Sequence, residues 1–380
     1  MNKNFEKKLQ DLKKENLFRQ RVLKESGSSS KIIIDGKKYL SFASNDYLGM
    51  SNNCELQEAL SESCKKNGLG SGSSPLISGY SESHKELECL ISEFLGTKST
   101  IIFSSGYQTN VGVIKSISEP TDHILIDKLD HASIVDGTLF SKAKFKRYSH
   151  NNISDLNEKV NESDKDIIVC VDSLFSMDGD FAKLNEIQKI KKGKDFYLLV
   201  DEAHALGVYG SGGRGLCNEM NIPMNEMVGI TGTFGKSFGT FGAFFSGSQD
   251  VVNFVLQNSR SYIYSTSLPR PIIDATIKSI NIVMKENWRR EKLFELIEYF
   301  KKSVKQYGLN NLNSDSHVQP LVIGDERECI NLSESLYNDG IFIPAIRYPT
   351  VEKGQSRLRI SLSSEHEKHH IDHLFKNLKF

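Results

Sequence analysis

Short apolar runs that alternate with amphipathic helical stretches dominate the middle of this 380-residue chain. Between about residues 45 and 265, these runs have the length and the β-branched or aromatic content of buried strands. They are Ile101 to Phe103, Ile124 to Ile126, Ile167 to Val171, Tyr197 to Val200, Met227 to Thr231 and Ala243 to Phe245. Strands that alternate with helices in this way predict an α/β fold, with a mostly parallel sheet covered by helices on both faces.

The two ends of the chain show other patterns. Residues 1 to about 25 are predicted to form a charged amphipathic helix, and Ile32 to Phe42 are predicted to form a hairpin. Beyond residue 271 follow a long helical stretch, Ile272 to about Gln306, and strand-like runs at Val318 to Ile323 and Arg357 to Leu362. We therefore predict an N-terminal segment (1–44), a large domain (45–270) and a smaller α+β domain (271–380).

Charge and hydropathy exclude several classes of function. The 48 basic residues equal the 48 acidic ones, and neither sign forms a block, so no nucleic-acid or anionic-lipid partner is expected. No apolar run reaches the roughly 18 residues that span a membrane. The first predicted helix mixes acidic residues with its lysines, unlike a signal or transit peptide, which favours a cytoplasmic protein.

Cysteine and histidine spacing gives no support to a metal site. The six cysteines lack C-x-x-C spacing, so neither a zinc site nor a disulfide framework is expected. Two i, i+4 histidine pairs lie near the end of the chain, at His366, His369, His370 and His373. Because carboxylates and a lysine surround them, we interpret them as a solvated helix face, and no metal is predicted.

The most informative pair of residues is Asp201 and Lys236. Asp201 follows a buried strand and is predicted to emerge at its carboxyl end, where open α/β sheets bind their ligands. Lys236 lies in a glycine-rich turn whose neighbours lack bulk, so its amine can reach a ring aldehyde and form a Schiff base. A carboxylate that holds a pyridinium proton and a lysine that anchors the ring outline a pyridoxal phosphate site.

A nucleotide-driven motor is the alternative interpretation of the same segments. Gly235-Lys236-Ser237 resembles the end of a P-loop, and Asp201 to His204 spells a helicase motif. A P-loop requires a glycine five positions before Gly235, where this chain has Ile230. The lysine also follows the aspartate instead of preceding it, so the motor is disfavoured.

A phosphate site is predicted beside this pair. Ser104 to Asn110 follows one strand and precedes a helical pattern, so the backbone N–H groups of Gly106 and Tyr107 are free to bind an anion. Thr233 offers a hydroxyl for the same group.

A series of blocks along the whole chain resembles the α-oxoamine synthases, which are fold-type I pyridoxal phosphate enzymes. In order, the blocks are Ser44 to Gly49, Gly70 to Gly72, Ser78 to Tyr80, Asp130 to Ser133, Phe175 to Gly179, Asp201 to His204 and Thr233 to Lys236. The resemblance implies an aspartate aminotransferase-like fold with a seven-stranded sheet, pyridoxal 5'-phosphate as cofactor, and a homodimer.

The resemblance also implies the roles of the site residues. Lys236 would carry the cofactor, Asp201 would face the ring nitrogen, and His131 would stack over the ring. The other cofactor contacts implied are His204 at the ring hydroxyl, Ser176 near the ring, Gly106, Tyr107 and Thr233 at the phosphate, and Ser265 and Thr266 at a neighbouring subunit's phosphate. The substrate contacts implied are His131, Arg347, Thr350 and an N-terminal arginine, for which Arg19 is preferred to Arg21.

Two later blocks point to a branch of this family. Gln319 to Gly324 and Ala345 to Val351 most resemble the enzymes that join L-alanine to a pimeloyl thioester, carried by coenzyme A or acyl carrier protein, in biotin assembly. A sibling that joins glycine to acetyl-CoA is the alternative. A catalytically inactive homologue is disfavoured because Lys236 and Asp201 are both present. Tyr348 and Glu202 depart from the usual pattern without removing a catalytic group.

Overall fold

The computed structural model describes residues 4–15 and 17–378. Its strands are β1 (Ser26–Gly27), β2 (Lys31–Ile34), β3 (Lys37–Ser41), β4 (Ser99–Phe103), β5 (His123–Asp127), β6 (Lys144–Tyr148), β7 (Ile167–Asp172), β8 (Tyr197–Asp201), β9 (Gly229–Thr233), β10 (Ala243–Gly247), β11 (Val318–Gly324), β12 (Ile341–Phe342), β13 (Ala345–Ile346) and β14 (Ser356–Ser361). Its α-helices are α1 (Phe5–Lys14), α2 (Cys54–Asn67), α3 (Glu82–Leu95), α4 (Gly106–Ile117), α5 (Ala132–Ser141), α6 (Ile153–Glu162), α7 (Leu184–Gly193), α8 (Leu216–Glu219), α9 (Gln249–Asn258), α10 (Arg260–Ile263), α11 (Arg270–Lys285), α12 (Asn287–Tyr307), α13 (Glu326–Asn338) and α14 (Lys368–Asn377).

A seven-stranded sheet forms the centre of the molecule, in the order β4-β10-β9-β8-β7-β5-β6. The strands from β9 to β6 pair in parallel, and β10 runs antiparallel to both of its neighbours. The predicted mostly parallel α/β sheet is confirmed, and each predicted central run contributes to a strand. The sequence analysis missed β6 because this edge strand alternates exposed lysine and arginine with apolar residues and contains no buried run.

Both faces of the sheet are buried, which explains the continuous apolar runs. Along β7 and β8, Val169 and Val200 belong to one core cluster, whereas Ile168, Cys170 and Leu199 belong to the cluster on the opposite face. Successive strand side chains point to opposite faces, so a strand covered on both sides must be apolar at every position.

The predicted N-terminal helix was wrong in extent. The first helix ends at Lys14 and buries none of its side chains, so its apolar stripe gains no packing to extend it. Positions 1–3 and 16 of that predicted helix lie outside the described residues. The predicted long helical stretch from Ile272 to about Gln306 is confirmed as α11 and α12, which are separated at Glu286 by a non-helical backbone (φ −91°, ψ 79°). Neither glycine nor proline marks this break.

The remaining strands join the two ends of the chain. The predicted hairpin forms as β2 and β3, and β12 pairs in parallel with β3, so Ile341 lies beside Leu40. The predicted strands near the end of the chain are confirmed as β11 and β14, which form a sheet with β13. The domain boundaries stay a prediction, and residues 379–380 lie outside the described part. Among the described residues, no helix is both long and apolar enough to cross a membrane.

The interpretation of the terminal histidines as a solvated face was wrong for two of them. His366 and His370 are only 1% and 7% exposed. The ring of His366 stacks on Phe42 at 4.4 Å, and its Nε2 lies 2.9 Å from the Ser41 carbonyl oxygen. Burial lowers the pKa of both imidazoles to about 4. The His366 ring thus packs the residues before the last helix against the N-terminal segment, whereas His370 accepts the Glu367 N–H at 3.0 Å at the start of that helix.

Candidate active site

The candidate site lies where three neighbouring parallel strands end. Asp172, Asp201 and Thr233 are the last residues of β7, β8 and β9. Asp172 and Asp201 are register partners in adjacent strands, so both side chains project from one edge of the sheet. Together with Lys236 they line a cavity of ≈ 200 Å³. This is the edge at which open α/β sheets bind ligands.

Two donors hold the Asp201 carboxylate in place. Asn110 Nδ2 donates to Oδ2 at 2.6 Å, and the Ala203 backbone N–H donates to Oδ1 at 2.8 Å. Asp201 is 8% exposed, so these bonds act in a poorly solvated site where they orient the group strongly. A fixed carboxylate of this kind is suited to bind a protonated ring nitrogen.

Lys236 lies in the turn that follows β9. Burial lowers the pKa of its amine to about 8, although the charges of Asp201 and Asp172 act to raise it. About a tenth of the amine is therefore neutral at pH 7, far more than for a lysine with the ordinary pKa of 10.5. A neutral amine is the nucleophilic form and can add to a carbonyl group.

His131 is positioned from two sides. Its backbone N–H donates to Asp172 Oδ2 at 2.7 Å, and its Nδ1 lies 2.7 Å from Ser133 Oγ. Asn110 Nδ2 also donates to Ser133 Oγ, at 2.9 Å. Because Asn110 bonds Asp201 as well, the hydrogen bonds that position His131 and those that position Asp201 form one network. Desolvation lowers the pKa of His131, while burial and the charge of Asp201 raise that of Asp172 well above its usual range. The ring at the cavity wall is therefore a neutral imidazole.

The amino end of α4 closes one end of the cavity. Ser105 caps this helix by accepting the Gln108 N–H at 3.3 Å, which leaves the N–H groups of Gly106 and Tyr107 at the cavity. A Cβ on Gly106 would lie 3.9 Å from Thr233 Cβ, so the missing side chain opens space opposite the threonine. Free N–H groups at a helix start form an anion site that suits a phosphate. The Thr233 hydroxyl donates to the Gly242 carbonyl oxygen at 3.0 Å and would have to rotate to donate to that anion.

His204 and Ser176 also line the cavity. His204 Nδ1 lies 2.7 Å from the hydroxyl of the fully buried Tyr47. Burial, together with the nearby charges of Lys236 and Arg359, lowers the pKa of His204 well below its usual range. The imidazole is therefore neutral, and it presents its second ring nitrogen away from Tyr47.

Arg359 was not predicted as a site residue from the sequence. This guanidinium is only 8% exposed and donates to Ser176 O at 2.5 Å and to Asn45 Oδ1 at 3.1 Å. Within residues 4–15 and 17–378, no carboxylate forms an ion pair with it. Its charge acts on both Lys236 and His204. The available signal was an arginine inside the buried strand β14, because buried arginines are normally paired.

Asn110, Ser133, Asp172 and Tyr47 were also missed. The first three line the cavity, and Tyr47 reaches it through His204. Asn110, Ser133 and Tyr47 lie inside sequence blocks already singled out, but the blocks alone do not show which of their side chains point into the site.

The other predicted residues lie outside this cavity. Arg347 donates to the Phe18 carbonyl oxygen at 3.2 Å, and Thr350 lines a neighbouring cavity of ≈ 330 Å³. Arg19 is exposed. Ser265 and Thr266 line a separate narrow pocket. Within one chain, the structure therefore does not bring these five residues to the Lys236 cavity.

The chain is similar to known proteins along nearly its whole length. It matches the family Aminotransferase class I and II over residues 37–378. It is 39% identical to the 8-amino-7-oxononanoate synthase of Pseudomonas syringae pv. syringae over 363 residues, which cover 96% of this chain and 92% of that protein. The solved 8-amino-7-oxononanoate synthase of Francisella tularensis is 28% identical, with a TM-score of 0.80 over 90% of this chain and 96% of that one. A serine palmitoyltransferase from S. paucimobilis with a bound PLP-myriocin aldimine is 26% identical, with a TM-score of 0.93 over 99% and 96% of the two chains.

The fold and the site together define an enzyme of the class I and II aminotransferase type. The chain belongs to this family and, within it, to the 8-amino-7-oxononanoate synthases.

Proposed function

We propose that this enzyme condenses L-alanine with a pimeloyl thioester, releasing carbon dioxide and the carrier thiol, to form 8-amino-7-oxononanoate for biotin biosynthesis. Its cofactor is pyridoxal phosphate. The observation that carries the reaction class is the placement of Asp201 and Lys236 in one cavity beside the buried Arg359. The relatives at 39% identity support the choice of substrates.

The cavity suits this cofactor at each functional group. Asp201 would hold the ring nitrogen, His131 would cover the ring, and Lys236 would anchor the aldehyde carbon. The start of α4 and Thr233 would bind the phosphate. When bound, pyridoxal phosphate withdraws electrons from the substrate Cα, and the protein supplies orientation and charge.

Three residues of the chain would supply proton transfer, charge stabilisation and ring orientation. Lys236, whose pKa is lowered, would serve as the base that removes the proton at the substrate Cα and later returns one. Asp201, held by its two donors, would stabilise a protonated ring nitrogen. The imidazole of His131 would cover one face of the cofactor ring and fix the plane of that ring.

Arg359 is the better-placed group for the carboxylate of the amino acid. It lies beside Ser176, a cavity residue, and its charge reaches Lys236, whereas Arg347 contacts the backbone at Phe18. A buried guanidinium without an acidic partner is suited to bidentate binding of a carboxylate. We therefore assign this contact to Arg359 instead of Arg347.

Replacing each arginine with lysine tests this assignment. Arg359→Lys should raise the KM for alanine about 10- to 100-fold, since a hydrogen bond to a charged group contributes about 1.5 to 3 kcal/mol. Arg347→Lys is the matched control and should change that KM less than threefold. Steady-state kinetics at saturating thioester measure both, and the reverse order would return the contact to Arg347.

The substrate pair itself is tested by product mass. The loaded enzyme is incubated with alanine or glycine, each paired with pimeloyl or acetyl thioesters of coenzyme A and of acyl carrier protein. Formation of 8-amino-7-oxononanoate from alanine and a pimeloyl thioester supports the proposal. A preference for glycine and acetyl-CoA would identify the sibling activity, and no product from any pair would reject both.

A further inference from the structure

A buried chain of hydrogen bonds leads from the strand β14 to the cavity. Arg359 Nη1 donates to Asn45 Oδ1 at 3.1 Å, and the hydroxyl of Tyr47 lies 3.1 Å from the same oxygen. That hydroxyl also lies 2.7 Å from His204 Nδ1. Tyr47 is 0% exposed, so no bulk water competes for these bonds.

The direction of each bond follows from the chemistry of the groups. A guanidinium only donates, so the Asn45 atom that faces Arg359 must be the amide oxygen. An amide oxygen only accepts, so the single hydroxyl proton of Tyr47 must point to Asn45. The Tyr47 oxygen then has only lone pairs for His204, and the Nδ1 of His204 must carry a proton to complete the bond.

His204 is a neutral imidazole, because burial lowers its pKa well below the usual range. An imidazole with one proton, placed on Nδ1, has a bare lone pair on Nε2. Because Nδ1 is bound to Tyr47 and the residue lines the cavity, Nε2 is the nitrogen that a bound molecule meets. This site therefore offers an acceptor, suited to a hydroxyl group, and not a donor.

We infer that Tyr47 is a positioning residue that places the proton of His204 on Nδ1, so that Nε2 accepts a hydrogen bond from the ring hydroxyl of the bound cofactor. The cofactor half of this inference rests on the proposed function. The proton position on His204 does not, since it follows from the contacts of the unloaded protein. The amide oxygen of Asn45 sets the direction of the bond between Tyr47 and His204, because it accepts the Tyr47 hydroxyl proton and leaves that hydroxyl only as an acceptor for the histidine.

Nitrogen NMR of unloaded protein with ¹⁵N-labelled histidine tests the proton position. The chemical shifts of a neutral imidazole distinguish the protonated from the bare nitrogen, and the signals lost in His204→Gln identify the residue. The wild type should show Nδ1–H. Tyr47→Phe removes the acceptor, and Asn45→Ala frees the Tyr47 proton to bond Nδ1, so both should move the His204 proton to Nε2.

Tyr209→Phe is the matched control. Tyr209 is also a buried phenol, but its hydroxyl faces His317 at 3.5 Å instead of His204. It should leave the His204 shifts unchanged. An Nε2–H form in the wild type, or an unchanged Nδ1–H form in Tyr47→Phe, would overturn the inference even if the enzyme were fully active.

The loaded enzyme gives a second, separate readout. An acceptor at Nε2 favours the protonated ring hydroxyl, so Tyr47→Phe should increase the long-wavelength absorbance of the ionised hydroxyl at constant pH, whereas Tyr209→Phe should not. An unchanged spectrum together with the expected NMR shift would overturn the cofactor contact alone. If neither the wild type nor any variant bound pyridoxal phosphate, the proposed function would be rejected instead.

Discussion

Burial lowers the pKa of the Lys236 amine to about 8, and the carboxylates of Asp201 and Asp172 limit that decrease. The sign follows from desolvation, which disfavours the charged ammonium form, and from opposite charges, which favour it. Asp201 thus keeps the lysine more basic than burial alone would, in addition to its proposed role at the ring nitrogen.

The rate of cofactor capture should therefore depend on pH through Lys236. Because only the neutral amine attacks the aldehyde, the rate of pyridoxal phosphate binding to unloaded enzyme should rise with pH and level off above about 8. Stopped-flow absorbance measures this profile. Asp201→Asn removes a charge that raises this pKa, so its midpoint should move to lower pH. A midpoint at the ordinary lysine value of 10.5 would contradict the role of burial.

At the scale of elements, a glutamate side chain ties the end of β8 to a glycine-rich loop. The fully buried carboxylate of Glu202 accepts the N–H groups of Leu216 at 3.0 Å and Cys217 at 2.6 Å, at the start of α8. A Cβ on Gly215 would lie 2.8 Å from this carboxylate carbon. The loop from Gly210 to Gly215 therefore serves to hold β8, which explains why glutamate is accommodated in place of aspartate.

Two alanine substitutions in this loop should differ sharply in stability. Gly212 (φ +64°) has nothing within 4 Å of an added Cβ, so Gly212→Ala should cost about 1 kcal/mol from left-handed backbone strain alone. Gly215→Ala (φ +95°) carries comparable strain plus the collision with Glu202, and should cost at least about 2 kcal/mol more. Urea unfolding measures the loss of stability in each variant. Equal losses would show that the contact with Glu202 does not add to the effect of Gly215→Ala.

His150 links two strand ends near the site. Its ring nitrogens lie 2.9 Å from Asp127, which ends β5, and 2.9 Å from Asp180, which follows β7. Burial acts to lower the pKa of His150, but the bonds to the two carboxylates dominate and raise it to about 10. The folded state therefore favours the charged imidazolium.

The stability contributed by His150 should be lost at high pH. Its folded pKa of about 10 exceeds the unfolded value of 6.5, so this contribution is complete below pH 6.5 and disappears as the pH rises through 10. The free-energy difference between wild type and His150→Gln should be larger at pH 6 than above pH 10 in urea unfolding. His369→Gln, at an exposed position, should show no such change. A difference that grows with pH would contradict the linkage.

At the scale of the whole molecule, the placement of Ser265 and Thr266 bears on assembly. They line a pocket of their own, apart from the cavity of Lys236 in the same chain. We propose a homodimer in which this segment contacts the phosphate in the partner's cavity. Exposed apolar side chains at Leu69, Ile77 and Tyr264, each more than 70% exposed, supply surface for such an interface.

Mixing two inactive variants tests the shared site. Lys236→Ala subunits are exchanged with subunits that carry Ser265→Ala and Thr266→Ala, each nearly inactive alone. If the segment serves the partner, each heterodimer combines both lesions in one site and leaves the other intact. Activity should then recover to about a quarter of wild type under random pairing. No recovery after proven exchange would show that each chain completes its own site.

The features that depend on local order could be predicted from the amino-acid sequence. Asp201 and Lys236 could be predicted because one ends a fully apolar strand and the other lies in a glycine-rich turn a short distance further on. The central strands could be predicted because burial on both faces requires unbroken apolar runs. The anion-binding role proposed for the start of α4 follows from a strand, a glycine and a helix in close succession.

The distant residues that support these groups could be identified only once the chain was folded. Asn110 contacts Asp201, and Arg359 contacts Asn45, across separations of 91 and 314 residues. A polar side chain at such a position has the same local pattern as one on the surface, and only its buried partners reveal its role. The edge strand β6 and the break at Glu286 escaped prediction for the same reason, since packing against neighbouring elements, and not local composition, defines them.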